Sequence, residues 1–176
     1  PYSGEIGFDG LVYIGHQNIE IVEDLVQSQY VVITATSTDD TLELTDGDLV
    51  TASGACASGC QTLRMNHRGF YTTMLANKTV VTVDGLSGKD RFVVNLIGQP
   101  AGLIELTLRG NLGNDRFEIN RTADVRVNVD GGSGLEDEIV LASQVFDMTN
   151  IEIINLFDFF RAKGSFLDRK STRLNS

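Results

Sequence analysis

The chain has no tryptophan, two prolines, two cysteines and two histidines among 176 residues. Without Trp, a sugar-binding groove lacks its broadest aromatic platform. With so few His and Cys, a transition-metal site has little to draw on. No apolar run approaches the roughly 20 residues of a membrane-spanning helix. Basic residues are also scarce: the formal charge is −10, the wrong sign for a nucleic-acid partner, whose phosphates demand a cationic face. Nor does a Gly-x-Ser-x-Gly elbow or a Ser, His and Asp set suggest a nucleophilic enzyme. What is present is eighteen Gly amid abundant Val, Ile, Leu and Thr, the composition of an all-β chain with many glycine turns.

One unit recurs. It runs Val81-Thr-Val-Asp-Gly85-Leu-Ser-Gly88-Lys-Asp90-Arg-Phe92-Val-Val94, then Leu106-Thr-Leu-Arg-Gly110-Asn-Leu-Gly113-Asn-Asp115-Arg-Phe117-Glu-Ile119. A third copy, Val127-Asn-Val-Asp-Gly131-Gly-Ser-Gly134-Leu-Glu-Asp137-Glu-Ile139, carries one extra residue before its Asp. A worn copy lies upstream, Val31-Val-Ile-Thr-Ala35-Thr-Ser-Thr38-Asp-Asp40-Thr-Leu42-Glu-Leu44. Each reads as strand, glycine-Asp turn, strand. The alternation places Val83, Leu108 and Val129 in one inward column and Phe92, Phe117 and Ile139 in another. The repeat predicts an all-β parallel β-solenoid, β-helix or β-roll-like, of stacked coils of about 25 residues. The alternative is an antiparallel β-sandwich, which also shows short strands and regular turns. Between Asp40 and Asp90 there is room for one degenerate coil, with a loop around Cys56 and Cys60 and a short strand through Leu63 and Met65.

The expected organisation is opening strands over 1–30, a repeat domain over 31–160 and a disordered tail over 161–176. Asn18-Ile-Glu-Ile-Val22 returns as Asn150-Ile-Glu-Ile-Ile154, 132 residues later; either a second module starts there or the match is chance. Asp168 to Ser176 resembles the translation of a sequencing adaptor. Leaving it out removes three basic residues and one acidic residue and gives −12. The start at Pro1, without Met or signal peptide, suggests an excerpt of a longer protein.

The turns offer oxygen ligands. Glycines at the first and fourth positions admit positive φ and bring carbonyls inward, and an Asp follows two residues later, a donor set suited to Ca²⁺. These residues resemble the nonapeptide of RTX (hemolysin-type) calcium-binding repeats. The wider run is similar to repeats in large surface proteins of planctomycetes and other aquatic bacteria. The resemblance implies Ca²⁺ held by Gly85, Gly88, Asp90, Gly110, Gly113, Asp115, Gly131, Gly134, Glu136 and Asp137. The favoured cleft lies between the Asp115 and Asp137 turns, with Asp130 and Glu136 adding carboxylates. Leu86 and Asn111 stand where that pattern has a second glycine, and Arg91 and Arg116 stand where they could pair with the carboxylates. Asp residues accepting backbone N–H bonds in Asx turns are the metal-free alternative.

Cys56 and Cys60, four apart, suit a loop-closing disulfide in an exported protein. The expectation for function is a non-enzymatic structural or adhesive repeat segment, extracellular or on a cell surface. Its partners would be calcium, neighbouring modules of the same chain, and a surface polysaccharide or protein ligand. The rival is a carbohydrate-active β-helix enzyme or sugar-binding module.

Overall fold

The computed structural model describes the backbone of residues 3–8, 12–17, 20–52, 54–141, 147–149, 153–156 and 173–174, and side chains between residues 20 and 141 other than 53 and 55. The described residues are all-β apart from one 3-10 turn at Gly54–Cys56. An antiparallel pair, β1 (Ser3–Phe8) and β2 (Val12–Gln17), forms a sheet of its own. The remaining strands make two larger sheets.

The first is wholly parallel and contains β4 (Ser28–Thr34), β8 (Lys78–Asp84), β10 (Glu105–Arg109), β12 (Arg126–Asp130) and β14 (Asp147–Thr149), in that spatial order. The second is mixed. Its order runs from β3 (Ile21–Asp24) through β7 (Thr72–Leu75), β6 (Cys60–His67), β5 (Thr41–Val50), β9 (Arg91–Leu96), β11 (Arg116–Thr122), β13 (Glu138–Leu141) and β15 (Ile153–Leu156) to β16 (Arg173–Leu174).

The three clear repeats lie in register. Val81, Leu106 and Val127 are cross-strand partners, as are Val83, Leu108 and Val129. On the other sheet Leu42, Phe92, Phe117 and Ile139 align, followed by Leu44, Val94, Ile119 and Leu141. All are buried, and the two columns form one core between the sheets. Phe92 and Phe117 stack with ring centroids 4.8 Å apart, adding to the area that each removes from water. The extra residue of the third copy does not shift this register, because Leu135 and Glu136 are carried in an exposed loop.

The uniform solenoid of 25-residue coils is incorrect. β5 pairs directly with β9, so no coil intervenes between the worn copy and the first clear one. The intervening residues turn back on themselves instead: β5–β6 and β6–β7 are antiparallel, and β7 then meets β3 in parallel. Leu63, Met65 and Leu75 bring apolar area to the core from this excursion, which makes the sheet mixed. The predicted strand through Leu63 and Met65 is thus one arm of an antiparallel meander, outside any stack. The antiparallel sandwich fits no better, since every strand of the first sheet is parallel to its neighbours. The expected tail over 161–176 lies outside the described residues except at β16.

Candidate functional site

Four aspartates line up between the two sheets. Asp90 Oδ1 accepts the backbone N–H of Asp40 at 2.9 Å, Asp115 Oδ1 that of Asp90 at 2.9 Å, and Asp137 Oδ1 that of Asp115 at 2.7 Å. Each carboxylate thereby satisfies an amide of the preceding repeat. All four residues are buried. The metal-free alternative had each Asp bonding inside its own turn; here the bonds cross between repeats and tie them together.

The glycines make room for this. A β-carbon at Gly85 would stand 2.3 Å from Asp90 Oδ2, and one at Gly110 would stand 2.1 Å from Asp115 Oδ2. At Gly134 the obstacles are Gly113 O at 2.1 Å and Asp137 Oδ1 at 2.5 Å. In the first two units the first glycine serves close approach of a carboxylate, and in the third Gly134 does so; positive φ falls on the second position in all three and also on Gly88 and Gly113. Leu86 and Asn111 both have φ 69°, and Gly132 has φ 89°. Two non-glycine residues therefore hold a left-handed conformation that the third copy gives to glycine.

Desolvation governs the charges. Burial pushes the Asp90 carboxyl up to about 7, with the Asp115 and Asp40 charges adding to the rise and the bond from the Asp40 amide opposing it. Asp115 is also raised, again by burial. Oδ2 of each accepts no hydrogen bond, so the protonated form loses little and relieves repulsion along the column.

Asp40 ends the column differently. Its Oδ2 accepts the Thr36 amide at 2.8 Å and the Thr36 hydroxyl at 2.7 Å, and its Oδ1 lies 2.8 Å from His67 Nε2. Burial alone would raise this carboxyl, but the His67 and Thr36 bonds outweigh it and hold it below the usual range. His67 arrives from β6, stacked on Phe70 with centroids 4.3 Å apart. The sequence offered no signal for this contact, since it depends on the antiparallel pairing of Leu42 with His67.

Of the residues expected to hold Ca²⁺, Gly85, Gly88, Asp90, Gly110, Gly113, Asp115, Gly131, Gly134, Glu136 and Asp137, the carboxylates are not drawn into one cluster. Ca²⁺ takes six to eight oxygens at about 2.3–2.6 Å. Here the carboxylates are single file, one per repeat, each with one oxygen engaged by an amide. In the Asp90 and Asp115 turns the other oxygen is packed against glycine. Glu136 is exposed, and Asp130 Oδ1 accepts the Gly132 amide at 3.1 Å instead of joining Asp115 and Asp137. Among the described residues no group of three or more His, Cys, Asp or Glu side chains is disposed to hold a metal ion.

Arg91 and Arg116 do not compete for the aspartates either. On the outer face, Arg91 makes two bonds to Glu118, at 2.9 and 2.7 Å, and Arg116 bridges Glu118 and Glu138. The Glu118 carboxyl is held low, chiefly by Arg91. Arg109 aligns with Asp84 and Asp130 as the repeat implies, yet Asp84 Oδ1 takes the Leu86 amide and Asn111 Nδ2.

Two further buried features flank β3. Cys56 and Cys60 are joined in a disulfide with Cα atoms 5.1 Å apart. Asn77 Nδ2 reaches Cys56 Sγ and the Leu25 carbonyl. Lys78, 1% exposed, places Nζ 2.8 Å from Asp24 Oδ1 and also donates to the Val26 carbonyl. This pair fastens β3 to β8. An open groove of about 550 Å³ lies on the outer face of the mixed sheet, with Glu23, Glu43, Asp48 and Arg64 among its walls. No aromatic side chain lines it.

The chain matches no family model, no curated protein and no solved structure. No helix among the described residues is long and apolar enough to cross a membrane.

Proposed function

We propose that the chain is a structural and adhesive repeat segment of a large extracellular bacterial protein, related in its glycine-Asp turns to RTX-type repeats. The observation that carries this reading is the aspartate column. The Asp90, Asp115 and Asp137 carboxylates are buried and are spent on binding one repeat to the next. A segment so built contributes spacing and rigidity, because its side-chain chemistry is turned inward. The Cys56–Cys60 disulfide supports an oxidising setting. The reading does not depend on calcium, since Oδ1 of Asp90, Asp115 and Asp137 each accepts a backbone amide.

The rival reading as a carbohydrate module has one observation in its favour, the groove with Glu23, Glu43, Asp48 and Arg64. Sugar sites are usually lined by stacking rings as well as carboxylates, and here Arg64 is already paired with Asp48 at 2.8 Å. The deciding experiment incubates the full chain with a panel of soluble polysaccharides and reads both product release and bound fraction. The structural reading expects neither hydrolysis nor lyase products, and no binding that an Arg64→Ala change abolishes. Turnover, or saturable binding lost with Arg64→Ala, would overturn it in favour of the carbohydrate module.

A further inference from the structure

β3 and β15 stand at or near opposite ends of the mixed sheet, and each opens on the last isoleucine of one copy of the Asn-Ile-Glu-Ile echo, Ile21 and Ile153. Aligning the copies sets Ile21 against Ile153 and Val22 against Ile154. The pairing registers agree with that alignment. Ile154 partners Ile139 on β13, and Leu156 partners Leu141; Ile139 and Leu141 belong to the core. On β3 the matching inward positions are Val22 and Asp24, the latter buried.

Backbone polarity agrees as well. In a parallel strand successive residues direct their N–H and C=O to alternate sides. The Thr72 and Ala76 amides donate to the carbonyls of Glu20 and Asp24, so the even positions of β3 face β7. Ile21 and Glu23 therefore direct theirs outward, where no strand pairs among the described residues. At the other end, the Glu138 amide donates to Asp115, so Ile139 and Leu141 face β15. With Ile139 opposite Ile154, the groups that meet β13 are those of Ile153 and Asn155, the echoes of Ile21 and Glu23.

We propose that β3 and β15 are the same strand in successive modules, and that the free edge of β3 takes the β13 strand of a preceding copy of this module. Each module then lends its first strand to the copy before it, and the mixed sheet continues without an edge. The surface beside β3 suits such a cover. Ile21 is 58% exposed, and Tyr30 and Val32 on the neighbouring edge strand β4 are more than 60% exposed. Among the described residues the edges of β3 and β4 are unpaired, and parallel edges with exposed apolar residues are a liability that a stacked copy removes. The contact is heterologous, head to tail, and does not close. The docking deepens the repeat-segment reading, but its failure would refute only the docking and leave the polysaccharide test standing.

The test uses the full chain, in which β15 already occupies β13. Asn155→Pro removes the amide directed at the Ile139 carbonyl and opens the β13 edge to the β3 of another copy. Sedimentation velocity should show the variant associating, with mass rising with concentration beyond a dimer. Adding Glu23→Pro, which removes an outward amide and spares the bonds to β7, should return it to monomer with an unchanged melting temperature. If Asn155→Pro alone unfolds the chain by circular dichroism, Ile153→Pro serves the same purpose. A folded Asn155→Pro or Ile153→Pro protein that stays monomeric up to about 1 mM, the concentration of a Kd worth about 4 kcal/mol, overturns the proposal. So does association that Glu23→Pro leaves intact.

Discussion

His67 Nε2 lies 2.8 Å from Asp40 Oδ1, with both side chains 2% exposed. The contact joins the antiparallel excursion to the head of the aspartate column, and it gives the first carboxylate an imidazole partner. A carboxylate buried with a hydrogen-bonding imidazole is stabilised; the same group facing a hydrocarbon ring is not.

His67→Phe keeps the stacking on Phe70 but removes that bond. The expected cost is about 2–3 kcal/mol, the worth of a hydrogen bond to a charged group plus the exposed deficit. Urea unfolding at neutral pH measures it. A change under about 0.5 kcal/mol would show that the column needs no terminal partner.

The pH dependence follows from Asp90, whose carboxyl is raised from 3.8 to about 7 by burial first. A raised acid binds its proton more tightly when folded, so stability is greatest below the ordinary value and declines as pH rises towards 7. Asp40 works in the opposite sense, since its lowered carboxyl stabilises above 3.8 and that contribution is lost in acid. Melting temperature should therefore be highest at about pH 4–5 and fall towards pH 8. Asp90→Asn should flatten most of that decline, with Asp115 accounting for the remainder. A melting temperature that climbs from pH 5 to pH 8 would contradict the buried column.

Asp115→Asn and Asp115→Ala separate the bond from the charge. The amide oxygen of Asn can still accept the Asp90 N–H, so this variant should be neutral or more stable above pH 7. Alanine leaves that buried N–H unsatisfied and should cost about 1–3 kcal/mol. Neither effect should depend on calcium or chelator. A calcium-dependent rise in the melting temperature of the parent chain, lost in both variants, would restore the metal reading.

Lys78 and Asp24 form a buried pair, so truncating one partner strands the other. Lys78→Met should destabilise by about 3–5 kcal/mol, and the double change with Asp24→Leu should recover much of that loss. Calorimetric melts of the two variants decide it. Equal melting in both would mean that the pair contributes little.

The turns predict opposite signs at two positions. A β-carbon at Gly113 would fall 1.6 Å from the Gly88 carbonyl, with φ 140°, so Gly113→Ala should cost about 3 kcal/mol or more. Leu86 sits at φ 69° and is partly exposed. Leu86→Gly should relieve about 1 kcal/mol of left-handed strain, less some chain entropy, and leave stability unchanged or slightly higher. Chemical denaturation of both checks the sign.

Much of the core was readable from local pattern. Alternation in Val81-Thr-Val83 and Phe92-Val-Val94 identifies the inward residues whatever the topology, because side chains on a strand must alternate. Recurrence of Gly-x-x-Gly-x-Asp implied that like turns would meet like turns, and they do. Over Thr45 to Thr79 the same logic failed. That segment lacks the repeat, and its apolar residues Leu63, Met65 and Leu75 are as compatible with an antiparallel meander as with a coil. Pattern shows which face is buried and is silent about strand direction.

The sequence by itself determined the strands of the repeat copies, the two apolar columns and the presence of an Asp at every repeat turn, since these follow from residue type and a period of two. Only the tertiary structure decided what the aspartates do. A carboxylate beside glycines can collect a cation or an amide, and composition does not distinguish them. The distance between repeats does: stacked in register, the next backbone amide arrives at 2.7–2.9 Å, and the glycine leaves space for an oxygen and nothing larger. The antiparallel strand that brings His67 to Asp40 belongs to the same class of fact, because the pairing partner of an edge lies elsewhere in the chain and no local signal names it.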